Sequence, residues 1–156
     1  MATLTTTITE SLTLNGSQQG GTVTKSITGI NNVFKRIVTV AANNDTTIAS
    51  FHSDQHDDDG TIDVEQVKYM RITNLDGSNP VHLSFQIDAG EDDSAADESA
   101  TLLLEAGMTF SMGGVDDAFA TKDDGAAIEL TMHPLESVLV DSGANDVQLE
   151  ILIATT

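Results

Sequence analysis

The residues best suited to chemistry stand between Gln55 and Gln66, in the run Gln-His-Asp-Asp-Asp-Gly-Thr-Ile-Asp-Val-Glu-Gln. Asp57, Asp59 and Asp63 alternate around Gly60 with the spacing by which a calcium-binding loop turns carboxylate oxygens inward. The Thr61 carbonyl and the apolar Ile62 fall where such a loop needs them. The ends of the run depart from that pattern. Gln55 stands at the first ligand position, and Gln66 stands at the last, where a bidentate Glu closes the shell. Two readings follow: a weak calcium site on Asp57, Asp59 and Asp63, or an acidic loop whose like charges stay in water. His52, Asp54 and His56 also alternate. On a strand they share a face and offer imidazole and carboxylate to zinc or nickel, without a fourth ligand in the vicinity.

No arrangement for covalent or acid–base catalysis accompanies them. Cysteine is absent, no Gly-x-Ser-x-Gly elbow occurs, and Gly20-Gly21-Thr22-Val23-Thr24-Lys25 lacks the spacing of a phosphate loop. Paired carboxylates are so frequent that no pair stands out. With no Trp and one Tyr, the aromatic platforms of a glycosidase or sugar-binding module are missing. The expectation is a protein that is not an enzyme.

The elements that would position these residues are strands. Leu4, Thr6, Ile8, Leu12 and Leu14 share one alternating set and Thr5, Thr7, Thr9 and Thr13 the other, with Glu10 interrupting the apolar one. Further β-type runs cover 22–27, 34–41, 46–52, 67–73, 81–87, 100–105, 108–112, 127–132, 137–140 and 147–154. Asn15-Gly16, Asp76-Gly77, Asp124-Gly125 and Ser142-Gly143 punctuate them as tight turns. Segment 91–100 has no apolar stripe and reads as an acidic loop. About ten short strands in 156 residues predict an all-β chain, an antiparallel β-sandwich or jelly roll. Residues 1–156 read as one β domain, with 1–30 either an edge strand or an extended arm exchanged with a neighbour.

Charge divides the chain unevenly. Residues 1–52 hold two acids and three bases, and residues 53–156 hold 23 acids and three bases. The balances of +1 and −20 make up the net −19. Such a charge repels phosphates and anionic lipid headgroups, so nucleic acid and membrane surfaces are not expected partners. No apolar run reaches the ~20 residues of a membrane helix. The N-terminus lacks a basic start with an apolar core, so the expected place of folding is the cytoplasm. A neutral first third beside an acidic remainder predicts one face for association and another that resists it.

The stretch Tyr69-Met-Arg-Ile-Thr-Asn-Leu-Asp-Gly-Ser-Asn-Pro-Val-His-Leu-Ser-Phe-Gln-Ile looks like a hairpin common in small structural proteins of tailed bacteriophages. With Leu102-Leu-Leu-Glu-Ala-Gly-Met-Thr-Phe-Ser-Met and the closing Val147-Gln-Leu-Glu-Ile-Leu-Ile-Ala, it resembles small structural proteins of tailed bacteriophage virions. The resemblance runs from Val67 onward, more than half the chain. It implies a capsid decoration (cement) protein, located in the virion after assembly in the host cytoplasm. Its partner would be the major capsid protein or another virion protein, and it would form a homotrimer. On this reading Leu4, Ile8, Leu12, Lys25, Lys35 and Arg36 form the partner-binding face. The alternative is a calcium-dependent adhesion or receptor-binding module of a tail or fibre, with Asp57, Asp59 and Asp63 as ligands and calcium as its cofactor.

Overall fold

Alternation of apolar and polar residues builds two facing sheets. In β9 (Val81–Ile87) the side chains of Val81, Leu83, Phe85 and Ile87 are buried, while His82, Ser84 and Gln86 face outward. In β13 (Val147–Thr155), Val147, Leu149, Ile151 and Ile153 are wholly buried and Gln148 and Glu150 stand on the other face. Each such side chain adds about 1.5–3 kcal/mol of burial free energy. The computed structural model describes residues 1–53, 60–88, 98–121 and 130–156.

The remaining body strands are β5 (Asn32–Val40), β6 (Thr46–His52), β7 (Ile62–Asp63), β8 (Val67–Asn74), β10 (Glu98–Leu104), β11 (Thr109–Met112) and β12 (Leu135–Asp141). One sheet has the order β11-β8-β13-β5. The other has β10-β9-β12-β6, with β7 added in parallel at its edge. Connections 41–45, 75–80, 105–108 and 142–146 carry the chain from one sheet to the other, each joining strands that hold the same rank in the two orders. That is jelly-roll topology. Phe85 ties the layers together, its ring centroid 5.1 Å from Phe110 and 5.5 Å from Phe119.

All four crossovers lie at one end of the sandwich. The other end holds His52, Val67, Ile87, Glu98, Leu135 and Thr155. Backbone bonds from Asp88 to the Pro134 carbonyl (3.1 Å) and from Leu135 to the Val115 carbonyl (3.0 Å) close it.

The first thirty residues stay outside this body. β1 (Ala2–Thr9) pairs antiparallel with β4 (Thr22–Ile30) and with no other strand; β2 (Thr13–Leu14) pairs with β3 (Ser17–Gln18) beyond them. The tip is a two-residue hairpin in which Asn15 and Gly16 take φ values of 50° and 78°, the left-handed pair such a turn requires. The alternating run 3–14 is therefore neither a continuous strand nor a first strand of the sandwich. It breaks at Glu10 and returns on itself as a ribbon, and segment 22–27 belongs to this ribbon as well. Thr5–Ser26, Thr7–Thr24 and Thr9–Thr22 face each other at 3.3–3.5 Å between hydroxyls, so one face of the ribbon supplies its own partners.

Three further segments differ from the sequence reading. Stretch 69–87 is not a hairpin, because β8 and β9 lie in different sheets and 75–80 crosses between them. Residues 98–100, read as acidic loop, extend β10 beside β9. Residues 130–132, read as part of a strand, are not in one, and Leu130 is 84% exposed. Segments 91–97 and 127–129 lie outside the described residues.

Candidate interaction surface

The ribbon is anchored at its base and open along its length. Ile30 is buried, and the Asn31 amide bonds the Thr155 carbonyl at 2.9 Å, continuing the β13–β5 ladder by one rung. From there the ribbon leans across the outer face of the four-stranded sheet. Leu4, Thr6 and Ile8 of its inner face line one side of a cleft of about 510 Å³. Tyr69 and Arg71 of β8, Thr109 and Ser111 of β11 and Leu152 of β13 line the other. Leu4 and Ile27 are half-buried as a cross-strand pair, whereas the next apolar pair, Ile8 and Val23, is 62% and 71% exposed. The cleft therefore widens away from the base.

Arg71, the one charged residue of its lining, belongs to a charge cluster on the same sheet whose centre the sequence reading did not single out. Glu150, on β13, accepts from Arg71 on β8 and meets Lys35 on β5 at 3.2 Å. One carboxylate thus serves two cations, and Arg71 Nε is buried there without a hydrogen-bond partner. The signal was present: Glu150 is the single charge in the closing strand. Only the register, however, sets it between Arg71 and Lys35.

The six residues read as a contact face do not stand on one surface. Leu4 and Ile8 face the cleft, Lys25 lies opposite Thr6 on the same side of the ribbon, and Leu12 is exposed near the tip. Lys35 is held by Glu150. Arg36 points to the inner side of β5, stacks its guanidinium 4.7 Å above the Phe34 ring and donates to the Ile48 carbonyl of β6. It bridges the two sheets along their open lateral seam, a task for which its sequence context carries no mark.

Asp57 and Asp59 lie outside the described residues, as do Asp54 and His56. Asp63 is described and is occupied locally. It caps a 3₁₀ turn at Val64–Gln66, accepting the Glu65 amide at 3.1 Å and the Gln66 amide nitrogen at 2.6 Å. Among the described residues no group of three His, Asp or Glu side chains is arranged to hold a metal ion.

Apolar exposure is concentrated where acidity is lowest. Twelve large apolar side chains are exposed among the described residues, and seven of them fall within the first 37 positions: Met1, Ile8, Leu12, Leu14, Val23, Val33 and Ile37. At the crossover end Asp45 and Asp146 are exposed beside the turns, together with Leu75 and Met108.

No family model matches the chain. No curated protein matches it either. One solved structure, from Bacillus endospore appendages described as a family of disulfide-linked pili, aligns over 83% of this chain and 93% of its own, with 15% identity and a TM-score of 0.38. A likeness at that level has no bearing on function.

Proposed function

We propose that this protein is a non-enzymatic structural component of a tailed-bacteriophage virion, a homotrimer that decorates or cements the capsid shell. The observation that carries the reading is the neutral two-stranded arm, which stands off an acidic jelly roll with its apolar residues uncovered. A shell-binding protein must remain dispersed until a repeated surface is available. A body with a balance of −19 opposes uncontrolled association, and an arm without net charge supplies a contact that charge does not oppose. The tip is the part free to reach a shell: Leu12 and Leu14, each 56% exposed, flank its turn, and roughly 40 Å of extended chain separates them from the base. Binding the assembled shell and not its free subunits stabilises the shell by linkage, with no chemical step.

The test is sedimentation of purified capsids with the intact chain and with Leu12→Asp/Leu14→Asp. The intact chain is expected to pellet with the shells and raise their disassembly temperature, and the double variant to remain in the supernatant. Equal pelleting of both would sink the tip assignment, and pelleting of neither would sink the decoration reading. A calcium titration run alongside addresses the adhesion alternative: a melting-temperature rise that Asp59→Asn abolishes, and that sodium chloride does not reproduce, would favour it.

A further inference from the structure

We propose that the cleft under the arm is an intersubunit site, filled by the arm of a neighbouring copy of this chain. This rests on reading the arm as a docking element, but not on the partner at its tip being a capsid. The first ground is stability. A lone two-stranded ribbon is marginal in water and needs a third layer against its apolar face. The parent body does not provide one, since Ile8 and Val23 remain mostly exposed above it. At about 30 Å³ per molecule the cleft has room for roughly 17 waters, against walls that include Leu4, Ile8, Tyr69 and Leu152.

The second ground is geometry. Ile30 is buried and the Asn31 amide is fixed to Thr155, so the base holds the parent arm at its present height. An arm arriving from another copy has no such tether and can lay its Leu4–Ile27 and Ile8–Val23 pairs against the sheet.

The third ground is charge. Copies of a −19 chain repel one another over most of their surface, yet residues 1–30 hold only Glu10 and Lys25. Of the residues lining the cleft only Arg71 is charged, and Glu150 pairs with it. An arm with no net charge meeting a lining without carboxylates is the approach that carboxylate repulsion leaves open. Because arm and floor are different surfaces, the contact is head-to-tail, and a small closed ring such as a trimer satisfies every cleft.

The chain has no cysteine, so the test is clean. Ile8→Cys and Ser111→Cys are made as separate single variants at positions exposed on opposite walls of the cleft. They are then mixed, allowed to re-equilibrate and treated with a short bismaleimide. The expected product is the cross-linked heterodimer, in severalfold excess over either homodimer, with light scattering of the untreated protein returning a multiple of 16.4 kDa. Three results would overturn the proposal. The first is cross-linking only within one chain when both cysteines are placed together. The second is Ile8→Cys homodimers as the main product, which would mean that arms pair with arms. The third is cross-linking that starts only when shells are added. Each is separable from the capsid test, because self-association is read here without any shell present.

Discussion

β1 and β13 are both alternating strands of β-prone residues, and they end in opposite environments. In β13 every second side chain from Val147 to Ile153 is fully buried, whereas in β1 only Leu4 and Thr6 are even half-buried and Ile8 is mostly exposed. The difference is the number of layers. β13 sits between β8 and β5 and faces a second sheet, so backbone and side chains are satisfied together. β1 has one neighbour and an open cleft. Alternation determines which side chains share a face; burial requires a second face to meet them.

That contrast can be broken or sharpened by substitution. Ile151→Ala in the core should cost about 2–5 kcal/mol and lower the melting temperature by roughly 2–4 °C for each of them. The equivalent truncation in the arm, Ile8→Ala, should stay within about 0.5 kcal/mol when read at concentrations that keep the chain monomeric. Comparable losses from the two would show the arm to be part of the core.

The next effect is smaller and tests the seam between the sheets. Arg36→Met keeps the stem over Phe34 and removes the donor to the Ile48 carbonyl, at a cost of about 1.5 kcal/mol by urea denaturation. Amide exchange should quicken along β6 while the arm amides are unaffected. An unchanged midpoint would return Arg36 to the list of free surface cations.

The crossover end supplies a pH test. Asp76 is held below the ordinary carboxylate value of 3.8, first by the Asn79 backbone amide and then by that of Ser78. A depressed folded pKa means that its contribution is complete above the ordinary value and is lost as the pH falls through the lower folded one. Asp76→Asn should therefore flatten the acid limb of the stability profile and leave the neutral-pH arm ribbon as it was. An acid limb identical to that of the parent would remove Asp76 from the account.

The smallest effect on global stability is expected at Gly20, where an added Cβ would lie 2.0 Å from the Glu10 carbonyl oxygen. Gly20→Ala must force the two legs of the ribbon apart near its tip, disturbing the Glu10–Gly21 and Gln19–Leu12 backbone bonds. The body's melting temperature should not move by more than its error, while capsid pelleting should fall. A drop in body stability would mean that the tip communicates with the sandwich.

Much of the fold was legible because the signals were local. The runs 46–52 and 81–87 became β6 and β9 with those bounds, and Asn15-Gly16 formed the turn its residue types favour. The candidate surface was legible only in part. That the first third is neutral and rich in alternating apolar residues could be read from Leu4, Ile8, Leu12 and Lys25, but the partners of Lys35 and Arg36 could not. Glu150 and Ile48 are more than 100 and 10 positions away respectively, and only strand register and sheet stacking bring them near.

By itself, then, the sequence determined the all-β class, the strand periods, the Asn15-Gly16 turn and the charge division, because each depends on residues a few positions apart or on totals. The tertiary structure decided that β4 returns to β1 and not to the sandwich, that the arm leans over β13, β8 and β11, and that Glu150 is shared between Lys35 and Arg71. Those are outcomes of competition among pairings of similar local merit. They are settled by which arrangement buries the most apolar surface while leaving the fewest backbone groups and charges unmet.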